Sequence, residues 1–130
     1  MEICGFEIAK KLKEKGFPQR PDYFNYSSYY DWDGLRKIHS LSNASVWFDP
    51  NISRDNIYFA PTISQVLKWL REEKKIFIDI RTSIDLNGKE HFSYYIIHNK
   101  VSIREGYTDF DWKFEQAALA GIEYVIDNLI

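Results

Sequence analysis

The chain has 130 residues, 17 basic against 19 acidic, with a single cysteine and 17% aromatic residues. That length suits one domain burying about two-thirds of its unfolded surface, so a core needs neither disulfide nor metal. The charges are even, eight of each sign up to Pro61 and nine basic against eleven acidic beyond it, which excludes the basic excess of a nucleic-acid or membrane footprint.

Cys4 alone makes no internal disulfide and fits a reducing compartment. MEICGFEIAKK lacks the charged-then-apolar order of a signal peptide, and no apolar run approaches about 20 residues. The expectation is a cytoplasmic protein that does not enter the membrane.

CGFEIAKKLKEKGFP reads as a short amphipathic helix carrying Phe6, Ile8, Ala9 and Leu12. Gly16 stands at its left-handed stop, and Pro18 prevents continuation. Next comes DYFNYSSYYDWDG, with six aromatics between Tyr23 and Trp32. Asp33-Gly34 is a hairpin signal between YSSYYDW and LRKIHSL. A two-residue loop there pairs Asp31 with Arg36 and Tyr29 with Ile38. Short strands are expected at SVWF and NIYF, with a turn at Asp49-Pro50-Asn51.

In APTISQVLKWLREEKK, Thr62 and Gln65 match a capping box, and Ile63, Val66, Leu67 and Leu70 form one apolar stripe. KIFIDIRTSIDL has isoleucines at 76, 78, 80 and 84, the period of a strand. Asn87-Gly88 returns it into HFSYYII, and Asn99-Lys100 leads into VSIR. A two-residue loop at Asn87-Gly88 sets Ile80 against Tyr95 and Ile78 against Ile97. The opposite face then carries Phe77, Phe92, Tyr94 and Ile96 around Asp79 and Arg81, with Arg81 beside Tyr94. Such a face calls for cover on both sides of the sheet. Asp109 or Asp111 is expected to cap a last helix lined by Phe114, Ala118, Ile122, Val125, Ile126 and Leu129.

These elements predict an α+β fold. An antiparallel sheet with an α-β-β-β-α C-terminal core over 62–130 is joined by an N-terminal helix and aromatic β-hairpin over 1–61, in one domain. The C-terminal order is shared by double-stranded-RNA-binding domains. Those place a lysine cluster at the start of the last helix, where this chain reads TDFDWKFEQ. Topology alone does not carry that function.

No metal or cofactor is expected, since His39, His91 and His98 have no ligand spacing and one cysteine is a poor start for zinc. Cys4 has no local histidine to activate it. Asp31 with Asp33, and Asp109 with Asp111, are explained by a turn and a helix cap. No phosphate loop or nucleophile motif is present. The aromatic run has no Lys or Arg between Asp22 and Trp32, whereas single-strand binding needs a positive groove. It therefore reads as cover or as a protein contact.

FEIAKKLKEKGFPQ, APTISQVLKWLREEKKIFIDI and FEQAALAGIEYVIDNLI resemble the recurrent segments of small proteins of unknown function from Bacteroidetes phages, prophages and mobile elements. The match spans residues 6–19, 60–80 and 114–130 and leaves 20–59 uncovered. The resemblance implies a bacterial cytoplasm and a mobile-element setting, and it brings no catalytic residues.

The reading that follows is a non-enzymatic protein-binding or regulatory module acting on a host or phage protein. Its candidate surface is Tyr26, Tyr30 and Trp32, with His39 opposite. One alternative is a nucleic-acid-associated protein using Arg36, Lys37 and the Lys10–Lys15 helix. Another is a small-molecule pocket at Asp79, Arg81 and His98. An uncovered sheet face would also suit a homodimer.

Overall fold

A computed structural model describes residues 3–19, 26–30, 36–40, 58–106 and 113–130, with the backbone alone for 26–29 and 36–40. In chain order the described elements are α1 (Phe6–Glu14), β1 (Tyr26–Tyr30), β2 (Arg36–Ser40), β3 (Tyr58–Phe59), α2 (Ile63–Glu73), β4 (Ile76–Ile84), β5 (Glu90–His98), β6 (Val101–Gly106) and α3 (Phe114–Asn128). The fold is α+β, in two compact units of residues 3–62 and 63–130. Among the described residues no helix is long and apolar enough to cross a membrane.

In the first unit α1 buries Ala9 and Leu12 and stops where its sequence says it should. Gly16 takes φ +91°. Its N–H donates to the Lys13 carbonyl, and the Phe17 N–H donates to the Leu12 carbonyl. This pair of reversed bonds satisfies two carbonyls that the helix leaves over. Phe17, thus turned inward, is buried and stacks on Phe59 at 6.1 Å between ring centroids. Gln19 closes the corner: its Oε1 accepts the Phe59 N–H at 2.7 Å while its Nε2 donates to the Phe17 carbonyl.

The sheet of this unit has the order β2-β1-β3. Tyr30 lies opposite Arg36 and Tyr29 opposite Lys37, one residue away from the expected pairing of Asp31 with Arg36 and Tyr29 with Ile38. Five residues separate the two strands, where a two-residue loop at Asp33-Gly34 was expected; that turn lies outside the described residues. The SVWF strand and the Asp49-Pro50-Asn51 turn lie outside them as well. The end of NIYF forms β3, which pairs with β1.

The second unit has the order β4-β5-β6, all antiparallel. Between β4 and β5 the chain makes a three-residue turn. The Gly88 N–H donates to the Asp85 carbonyl, the Asp85 N–H donates to the Lys89 carbonyl, and Gly88 takes φ +80°. This is a type I turn closed by a left-handed glycine. It sets Ile80 opposite Tyr94 and Ile78 opposite Ile96, which corrects the expected register by one residue.

Since strand side chains alternate, the slip moves all of β5 to the other face. Ile76, Tyr94 and Ile96 are now buried together. Both α2 and α3 pack on that side, α3 through Gly121, where an added β-carbon would sit 2.9 Å from Ile78 Cγ2. The other face mixes charged and apolar side chains, and among the described residues no helix of the unit packs on it.

Helix α2 buries Ile63, Val66, Trp69 and Leu70, so Trp69 takes the place expected of half-buried Leu67. Helix α3 begins after Lys113, whose N–H donates to Gln116 Oε1 at 2.8 Å. The expected caps, Asp109 and Asp111, lie outside the described residues. Phe114 is 44% exposed, its ring edge-on to Phe92, rather than on the buried stripe. Asn99 and Lys100 both take positive φ, as a tight two-residue hairpin turn requires.

Gly106 pairs with Tyr94 across the sheet, and a β-carbon there would fall inside the Tyr94 ring. Gly106→Ala should therefore cost about 1–3 kcal/mol by forcing the ring from its place. Gly16→Ala should cost about 1–2 kcal/mol through left-handed strain alone. Urea unfolding reads both, and an unchanged midpoint for Gly106→Ala would contradict the packing described.

Candidate functional site

The open face of the β4-β5-β6 sheet is where the described residues concentrate exposed charge beside exposed aromatic surface. Odd-numbered positions of β4 supply Phe77, Asp79, Arg81 and Ser83. Their partners on β5 are Ile97, Tyr95, Ser93 and His91. Glu105 of β6 sits opposite Tyr95.

Arg81 Nε donates to Asp79 Oδ2 at 2.9 Å. The guanidinium carbon lies over the Tyr95 ring, 3.9 Å from its centre, a cation–π contact that Arg makes more often than Lys. The Tyr95 hydroxyl donates to Glu105 Oε1 at 2.8 Å. Four side chains from three strands thus form one linked row.

The row has electrical consequences. The hydrogen bond from Arg81 to Asp79 holds the guanidinium pKa above its ordinary value. The hydrogen bond to Glu105 pushes the Tyr95 phenol upward. Both groups keep their protonated forms, so the row sets a cation and a phenol between the carboxyl groups of Asp79 and Glu105. Phe77, 48% exposed, and half-buried Ile97 form its apolar end.

Of the residues expected at a small-molecule pocket, Asp79 and Arg81 come together but His98 does not. His98 pairs with Ile76 on the helix-covered side. The expected register would have placed it opposite Phe77, on the same face as Asp79 and Arg81, and the three-residue turn moves it to the other face. Arg81 stacks on Tyr95, not on Tyr94, for the same reason. The signal that was missed is Asp85, an aspartate at the first position of a type I turn.

On the first unit, Tyr30 is half-buried and its hydroxyl donates to the Cys4 carbonyl at 2.8 Å. Its ring meets Phe6 edge-to-face at 5.7 Å. Tyr26 pairs with Ser40 and His39 with Ser27 along the β1–β2 ladder, and Trp32 lies outside the described residues. Cys4 is fully buried. Lys10 and Lys13 lie over the rings of Phe6 and Tyr58. Among the described residues no group of three His, Cys, Asp or Glu could hold a metal ion.

No family model, no curated protein and no solved structure matches the chain.

The turn that aligns the row is itself titratable. Asp85 Oδ1 accepts the N–H groups of Asn87 and Lys89, and Oδ2 lies 3.0 Å from His91 Nε2. The His91 contact first, then the amides, lowers the Asp85 carboxyl from 3.8 to about 2. Its folded value lies below the unfolded one, so the stabilisation is present above the unfolded pKa and is lost as pH falls through the folded pKa. The protection factors of the Asn87 and Lys89 amides, observed exchange set against the intrinsic rate at each pH, should fall between about pH 4 and about pH 2 in the native protein. Asp85→Ala should exchange fast already at neutral pH. Equal protection in the two proteins would remove the carboxylate from the turn.

Proposed function

We propose that the chain is a non-enzymatic protein-binding module whose contact surface is the open face of the β4-β5-β6 sheet. The observation that carries this reading is the row Asp79–Arg81–Tyr95–Glu105 running beside exposed Phe77. Tyrosine, arginine and phenylalanine are enriched where proteins meet, because they bring large contact area with few rotamers to freeze. Here Arg81 is already held by Asp79 and Tyr95, so little ordering is left for binding.

The reactive groups of these described residues have structural employment instead. Asp79 holds Arg81, Glu105 receives the Tyr95 hydroxyl, Asp85 shapes its turn and Cys4 is buried. The fitting partner is a protein surface with an apolar side chain for Phe77 and Ile97 and a basic one for Glu105. Its source in a phage or mobile element, in a bacterial cytoplasm, rests on the segment resemblance.

Affinity capture by the tagged chain, with and without nuclease, tests the reading when Phe77→Glu and Tyr95→Ala are run beside the native protein. A stoichiometric protein that survives nuclease and is lost at least tenfold by either variant is the expected result. A partner retained by both variants would move the contact elsewhere, and one lost on nuclease treatment would make the module a nucleic-acid binder.

A further inference from the structure

The sheet of the second unit ends in two edges that differ in their protection. Strand β6 carries a bulge, where its register with β5 shifts between Ile96 and Ile97; bulges discourage edge pairing. Strand β4 is nine residues, IFIDIRTSI, with no proline, glycine or bulge. Among the described residues its outer side has no neighbour in the sheet. Such an edge is a template for another strand.

The ladder says which groups point outward. The Asp85 N–H bonds the Lys89 carbonyl, and bonded pairs alternate in an antiparallel ladder. Asp79, Arg81 and Ser83 therefore bond to β5, and the N–H and C=O of Ile78, Ile80 and Thr82 face the open side.

We infer that β4 pairs antiparallel with β4 of a second copy of this chain, with Ile80 on the two-fold axis, giving one continuous six-stranded sheet. Outward-facing residues must meet outward-facing ones, which requires an even register. Centring on Asp79 would set Asp79 against itself, and centring on Arg81 would set Arg81 against itself. Like charges directly opposite destabilise a sheet.

Centring on Ile80 sets Asp79 against Arg81 of the second copy, and Arg81 against its Asp79. These pairs fall at the non-hydrogen-bonded sites, where facing side chains stand closest. The same register sets Ile78 against Thr82, and Ile76 against Ile84, which is 68% exposed. Two aspartates and two arginines then alternate around the axis on the open face.

The symmetry is closed, since each contact occurs twice. A strand-to-strand edge buries less than a standard interface, so association belongs in the micromolar range. The dimer does not depend on the protein-binding reading, because purified chain alone tests it.

Sedimentation velocity from about 10 µM to about 1 mM spans the affinities such an interface reaches. The mass should rise from 15.5 kDa to twice that value. Arg81→Asp should weaken the dimer at least tenfold, and the exchanged double variant Asp79→Arg with Arg81→Asp should restore it.

Thr82→Pro is a second probe that leaves the charges untouched. Its lost N–H faces outward, so the β5 ladder survives while the dimer should not form; circular dichroism confirms that the variant is folded. A native chain that stays monomeric throughout, a dimer indifferent to folded Thr82→Pro, a double variant that stays dissociated, or growth beyond two copies would each overturn the inference.

Discussion

A single aspartate in a turn governs how the second unit is sorted. Asp85 takes the amides of Asn87 and Lys89 on one oxygen and faces His91 with the other. The carboxylate thereby stabilises a three-residue turn around Asn87-Gly88, which a two-residue loop could equally have used. One residue of turn length is one residue of register, and one residue of register exchanges the two faces of β5. Tyr94 and Ile96 go under the helices, Tyr95 comes out beneath Arg81, and His98 leaves the company of Asp79. The buried core and the exposed row are two consequences of the same turn.

Close packing on the helix side reinforces that choice. Tyr94 is buried with its ring across Gly106, and its other flank lies against Gly121 of α3. Two glycines give the ring room that any side chain would occupy, and α3 can then approach the sheet closely enough to bury Ile122, Val125 and Ile126. In the alternative register this pocket would be offered Tyr95, whose hydroxyl is seen on Glu105 instead. Register, glycine placement and tyrosine choice agree with one another, as they do in sequences that specify a single structure.

Much of the scaffold was legible because its signals are local or periodic. The lysines, Gly16 and Pro18 mark the end of α1. The isoleucine alternation marks β4, and Asn-Gly and Asn-Lys mark the two hairpins of the second sheet. What failed was arithmetic across turns. Both testable hairpin registers came out one residue away, since dipeptide signals locate a turn without counting its residues. The candidate pocket depends on the same register: Asp79 and Arg81 come together as their spacing on one strand requires, whereas His98 lies on the other face and Tyr95 and Glu105 join the row in its place. Trp69 was missed because the apolar stripe was followed through Leu67, while the helix presents position 69 to the core.

The aromatic surplus divides according to what each ring touches. Tyr30 meets Phe6 edge-on and gives its hydroxyl to the Cys4 carbonyl, tying β1 to the segment before α1. Such a ring serves packing, with its polar tip satisfied. Among the described residues Tyr95 has no aromatic lid; a guanidinium lies over it and a carboxylate holds its hydroxyl. A phosphate approaching Arg81 would meet Asp79 and Glu105 on either side, and two carboxylates outweigh one cation. A basic protein side chain would find those carboxylates favourable and could lay its stem along Phe77. Charge, rather than the number of aromatic rings, is thus the ground on which the proposed reading prefers a protein partner to a nucleic acid.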